Sequence, residues 1–181
     1  MKTVVIAAIL TLSLALAAQE TRREVVRTDS VPASGAKPGE PAPDSYVVNA
    51  HVQRVVVLRC KYNTDLLAEL RRVVEQEKIK NAIILSAFGS VRSYHLHQVA
   101  NGEFPAKEIY EKNPNAPADI IGMSGAVVNG RTHAHITLST ADKAFGGHLE
   151  PDTKVFTFAI VTLGIVDDSV DLSRIDDANY R

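Results

Sequence analysis

The stretch NGRTHAHITLSTADKAFGGHLEPDTKVFTFAIV, residues 129–161, decides the fold of this chain and raises the question of its chemistry. Asn129-Gly130 is a dipeptide favoured in two-residue hairpin turns, where both positions need positive φ. The segment that follows, RTHAHITLS, alternates in character. On an extended strand, His133, His135 and Thr137 share one face, and Ala134, Ile136 and Leu138 share the other. The second set suits a core. Two imidazoles about 6.6 Å apart along a strand can both reach one metal ion, at roughly 2.0–2.1 Å from each ring nitrogen. His148 follows Gly146-Gly147, a pair expected to let the backbone turn tightly and approach closely. Three histidines with a fourth position open is the arrangement used by catalytic zinc sites. The same spacing also suits a plain polar strand face, and by itself it leaves both readings open.

Outward from this stretch, IIGMSGAVV before the turn and KVFTFAIVTLGIV after it read as further strands. AIILSAFGSVRSYHLHQVA is a strand interrupted at Phe88-Gly89-Ser90, where a glycine signals a bulge or a close backbone approach. It carries a second alternate pair, His95 and His97, which is either a polar strand face or a source of a further ligand. His51 stands alone and is assigned nothing. YVVNAHVQRVVVLRC is rich in β-branched residues and reads as one or two strands. NTDLLAELRRVVEQEKI reads as an amphipathic helix capped by Asn63 or Thr64, with Leu66, Leu67, Leu70, Val73 and Val74 on one face. NGEFPAKEIYEKNPNAPAD, with three prolines, is expected to be a loop with one short strand around Ile109-Tyr110, and TADKAFGG a turn. The sum is an α+β domain: a mainly antiparallel sheet of about six or seven strands with one or two packed helices.

The ends differ from this domain. Residues 1–18 have a short basic start, an apolar run from Val4 to Leu16 and a small-x-small site at Ala15-Leu16-Ala17, as in a cleaved export signal; an uncleaved anchor is the alternative. Residues 19–45 are expected to be a disordered, proline-rich linker, residues 46–166 the folded domain and residues 167–181 a flexible acidic tail. The mature chain is therefore expected outside the cytoplasm, periplasmic or extracellular, with no transmembrane segment. Cys60 is the sole cysteine of the 181 residues, so no intramolecular disulfide can form, and its apolar surroundings suggest a buried inert thiol rather than a reactive one. A net charge of −1, without a basic run, argues against a protein built to neutralise phosphates. No nucleophile elbow, phosphate loop or dinucleotide fingerprint occurs, and no residue is assigned a catalytic role. Arg131 is open to two readings, an anion-binding residue or a solvated hairpin residue.

AFGSV (residues 87–91) and the run DIIGMSGAVVNGRTHAHITLSTADKAFGGHLEPDTKVFTFAIVTLGIV (residues 119–166) resemble the PPC domain family (plants and prokaryotes conserved, also written PCC). Bacterial members are often labelled DNA-binding proteins with a PD1-like motif. The resemblance runs from about Tyr46 to Val166. It implies an α+β fold, a homotrimer and, in bacterial members, clustered histidines that look like a metal site, here His133, His135 and His148. The expected function is an exported trimeric module that binds a divalent metal, zinc first, and captures or acts on a small molecule. The alternatives are a DNA-binding or regulatory protein, which the export signal and the lack of an Arg-Gly-Arg hook disfavour, and a purely structural or interaction module.

Overall fold

The computed structural model of the chain describes residues 22–27, 44–103 and 105–176; the expected export signal and most of the expected linker lie outside them. In chain order the elements are β1 (Arg22–Arg27), β2 (Val52–Lys61), α1 (Leu66–Gln76), β3 (Ala82–Val99), β4 (Lys107–Asn113), β5 (Ala118–Val128), β6 (Arg131–Ser139), β7 (Ala144–Leu149) and β8 (Lys154–Val166). All eight strands belong to one sheet, and every pairing is antiparallel.

β3 organises the sheet because it is long enough to serve different neighbours along its length. Its first part pairs with β5 and β8, and its last residues pair with β4 and β7. Since β5 also pairs with β6, and β6 with β7, the path β3–β5–β6–β7 returns to β3 and closes on itself. Closure requires a curved strand. The register between β3 and β8 shifts three times, on either side of Gly89 and again before Ser93, as bulges do. Gly89 has φ +135°, and a Cβ there would run into the backbone of Phe158. The expected bulge is thus a close approach of two strands.

The core lies on the inner face. Ala134, Ile136 and Leu138 of β6, Leu149 of β7, and Val155, Ala159, Val161, Leu163 and Ile165 of β8 are buried there. Leu66, Leu67, Leu70 and Val74 of α1 join the same cluster. The helix is capped by Asp65, whose carboxylate accepts from the Ala68 amide at 2.9 Å. The cap is therefore one or two residues later than expected, because the Asp65 side chain itself reaches the free N–H of the third helical residue. Cys60 is buried, and burial followed by the Glu69 charge pushes its thiol up to about 11, as for an inert cysteine.

Four expectations change. Residues 22–27, within the expected disordered linker, form β1 along β4, where Val25 and Val26 supply β-branched residues and Arg23 pairs with Glu111. The short strand expected around Ile109-Tyr110 is present and is longer than a stretch with three prolines suggests, running for seven residues between β1 and β3. Gly146 and Gly147 lie inside β7, and the turn falls earlier, where the Thr140 amide donates to the Lys143 carbonyl at 2.9 Å. Finally, the tail is docked as far as Asp176: Leu172 is buried, and the Asn81 amide donates to the Val170 carbonyl at 2.9 Å. Among the described residues no helix is long and apolar enough to cross a membrane.

Candidate metal centre

Strand alternation aims the histidines. With Ala134, Ile136 and Leu138 buried, His133 and His135 must project from the other face of β6. The Asn129-Gly130 turn, with φ of 51° and 77°, sets the β5–β6 register as a two-residue hairpin of the kind its sequence demands. That register then runs on across the sheet. Ser124 of β5 faces His135 of β6, which faces His148 of β7, which faces His97 of β3, which faces Tyr110 of β4. Residues directly paired in a sheet share a face, so three strands contribute imidazoles to one row.

β7 fits between β6 and β3 because of its two glycines. A Cβ on Gly146 would overlap the Ile136 carbonyl, and a Cβ on Gly147 would overlap the His97 carbonyl. The close approach expected of this pair is present, without the tight turn. Gln98 of β3 donates to the Gly146 carbonyl and ties the two strands further.

The three histidines named from the sequence come together. Ligand nitrogens of His133, His135 and His148 all lie within 4.8 Å of one another. The Nε2 atoms of His133 and His135 are 3.2 Å apart. Two nitrogens bound to one tetrahedral zinc ion would be separated by about 3.3 Å, from a bond length of about 2.0–2.1 Å, so this edge already has the required span. The His148 ring stands edge-on to both others, with centroids 4.8 Å from His133 and 5.2 Å from His135. Burial, then the neighbouring His97 and His133, pushes His148 down to about 4. Burial and the same two neighbours also lower His135. Both rings are thus held neutral near pH 7, the state in which imidazole binds a metal.

Four further residues border the cluster. His97 stacks on His148 at 4.4 Å between centroids, and its Nδ1 lies 2.7 Å from a carboxylate oxygen of Glu150. His97, His148 and Glu150 form a second convergent group that shares His148 with the first. Glu150 was legible in principle, since it sits two residues after His148 and therefore on the same face. Asp176 lies 2.5 Å from His133 Nδ1 and accepts from Arg131. Arg131 is therefore a partner of the tail rather than a bare hairpin residue. No local pattern announces Asp176, which is far from the histidines in sequence. His95, by contrast, does not join. Its Nδ1 is 2.9 Å from the Pro151 carbonyl, at the β7–β8 turn. His51 lies just before β2, exposed and away from the row.

Residues 48–167 match the Plants and Prokaryotes Conserved (PCC) domain. Among solved structures, the chain is similar to a metal-containing protein from Archaeoglobus fulgidus, at 25% identity and a TM-score of 0.57 over 67% of this chain and 86% of that one. It is also similar to a plant- and prokaryote-conserved (PPC) protein from Pyrococcus horikoshii, at 20% identity and a TM-score of 0.56 over 70% and 89% of the two chains. A candidate DNA-binding protein from Bacteroides thetaiotaomicron shares the fold at 16% identity and a TM-score of 0.54, over 65% and 83%. The bifunctional protein GlmU of a Synechococcus strain is 29% identical over 112 residues, 61% of this chain. This chain spans only 16% of that protein's length.

Proposed function

The chain belongs to the Plants and Prokaryotes Conserved (PCC) domain family, and from that premise we propose that it holds a divalent metal ion through His133, His135 and His148. One observation carries this reading: three imidazoles from two paired strands converge on one point of the outer face, with two Nε2 atoms already 3.2 Å apart. The donor set fits. Neutral imidazoles suit zinc first, and also nickel, copper or iron. Three protein ligands leave a further position for water or a small anionic or neutral ligand. When bound, such an ion would supply Lewis acidity or an activated water, and no residue of the chain is assigned as acid, base or nucleophile. The similar metal-containing protein from Archaeoglobus fulgidus supports the reading.

The exported, self-associating form of this function rests on other observations. The N-terminal run from Val4 to Leu16, followed by small residues, supports export to the periplasm or beyond. Trimer formation is what the family resemblance implies, and the exposed apolar side chains of Val55 and Val57 on β2 and Leu85 on β3 support contact between copies. A DNA-binding role would need a basic surface, and the net charge is −1.

The test is elemental analysis of protein purified without an immobilised-metal column. About one equivalent of metal per chain is expected, and its absence from wild type, together with an unchanged Tm under chelator, would sink the proposal. His133→Ala combined with His135→Ala is expected to weaken binding sharply, because the set loses two of its three imidazoles and His148 keeps only His97 and Glu150 beside it.

A further inference from the structure

We propose that the segment after the PCC domain is part of the centre, with Asp176 acting as the positioning residue that sets the tautomer and orientation of His133. This rests on the reading that the histidine cluster binds metal, and it adds a component from outside the domain, since the family match ends at residue 167.

The segment is built to arrive at the cluster. As β8 ends, the Val166 amide donates to the Asn81 carbonyl at 3.0 Å. The Asp167 side chain then accepts from the Ser169 amide at 2.7 Å and turns the chain back over the domain. Lys80 donates to the Asp168 carbonyl at 2.8 Å. Asn81, itself buried, donates to the Val170 carbonyl at 2.9 Å and accepts from the Asn129 amide at 3.3 Å. One buried side chain therefore anchors both this segment and the hairpin that carries His133. Leu172 then buries its side chain, and Arg131 donates to both the carbonyl and the carboxylate of Asp176, each at 3.2 Å.

The chemistry follows from which nitrogen Asp176 meets. Its Oδ1 is 2.5 Å from His133 Nδ1, whereas His133 Nε2 faces His135. The two nitrogens of an imidazole point in different directions, so a carboxylate on Nδ1 cannot share an ion with Nε2. Asp176 is behind the ligand. A carboxylate there accepts a hydrogen bond from Nδ1–H, leaves the Nε2 lone pair free toward the cluster and makes that nitrogen more basic. The Asp176 side chain is only 19% exposed, so leaving it without His133 and Arg131 would strand a largely covered charge. That is a reason for the contact to persist rather than fray.

The experiment uses the full chain and titrates Co(II) and Zn(II), by chelator competition, into wild type, Asp176→Asn, Asp176→Ala and Arg131→Ala. Losing such a carboxylate typically costs about 10–100-fold in metal affinity. Asp176→Ala is expected to fall in that range at unchanged stoichiometry, with a changed Co(II) visible spectrum and a metal-free Tm close to wild type. Nitrogen-15 NMR of the metal-free proteins is expected to show His133 as the Nδ1–H tautomer in wild type and displaced from it in Asp176→Ala. Asp176→Asn, which keeps an acceptor oxygen but no charge, is expected to fall between the two. If wild type binds metal and both Asp176 variants bind it within twofold with the same spectrum, the positioning role is overturned and the metal site stands. If wild type takes up no metal, both fall.

Discussion

His148 is where the candidate centre is most tightly constrained, because it stands between His135 on one neighbouring strand and His97 on the other. Its folded value, pushed down to about 4 by burial and then by His97 and His133, lies below the value of about 6.5 for a free histidine. Between those values the unfolded chain binds a proton that the folded chain refuses, so stability rises with pH across the interval. Metal-free protein is therefore expected to keep this contribution above about pH 6.5 and to lose it as the pH falls toward about 4. Urea midpoints for wild type and His148→Gln at pH 7.5, 6 and 5 check this. The acid-side decline should be steeper in wild type, and parallel curves would contradict the assignment. Identity and pairing of this residue were unequally legible. A histidine after Gly-Gly stands out in the sequence, whereas its contact with His97, 51 positions earlier (148 − 97), depends on two strands meeting.

At the scale of elements, alternation carried most of the information. β6 was readable to the face: the side chains that bury and those that project are the ones its period of two requires. The Asn129-Gly130 hairpin and the helix after Thr64 were equally legible, since turn chemistry and amphipathic spacing are local properties. β7 was not. Gly-Gly in a sequence favours a turn, and only the crowding of β7 against the carbonyls of Ile136 and His97 shows why an extended strand wants glycine there. Gly147→Ala is accordingly expected to push β7 off β3. Overpacking of this kind costs about 1–3 kcal/mol, read as a lower urea midpoint. Because β7 carries His148, metal affinity should fall in the same variant. Unchanged stability would mean that the strands separate freely at this point. β1 was missed, and β4 was legible only as a short strand around Ile109-Tyr110, for a related reason. Short, charged strands have weak patterns of their own, and pairing with a neighbour is what makes them strands.

For the whole molecule, the face of the sheet around Gly164 is unusual. Val55 and Val57 of β2 are 55% and 62% exposed, and Leu85 of β3 is 49% exposed. β8 lies between these strands, and the Leu85 and Val52 side chains both approach Gly164, so the apolar residues form one patch across β2, β8 and β3. Continuous exposed apolar surface on a domain of this size marks a place where something docks. Further copies of the chain are the occupants that the proposed self-association would place there. If copies pair through this face, wild type is expected to run as an oligomer and Val57→Lys with Leu85→Lys as a monomer, measured by light scattering on a sizing column. A wild type that already runs as a monomer would remove this use of the face.

The class of fold, the hairpin, the helix, the two faces of β6 and the identity of the three clustered histidines can all be read from the residues in order. These follow from periodicity and turn chemistry, which act over a few residues. The closing of the sheet through β3, the place of His97 and Glu150 beside His148 and the reach of Asp176 to the far side of His133 emerge only when the chain is folded. Those contacts join residues dozens of positions apart, and the free energy that forms them comes from burying a shared core, which no local stretch of the sequence contains.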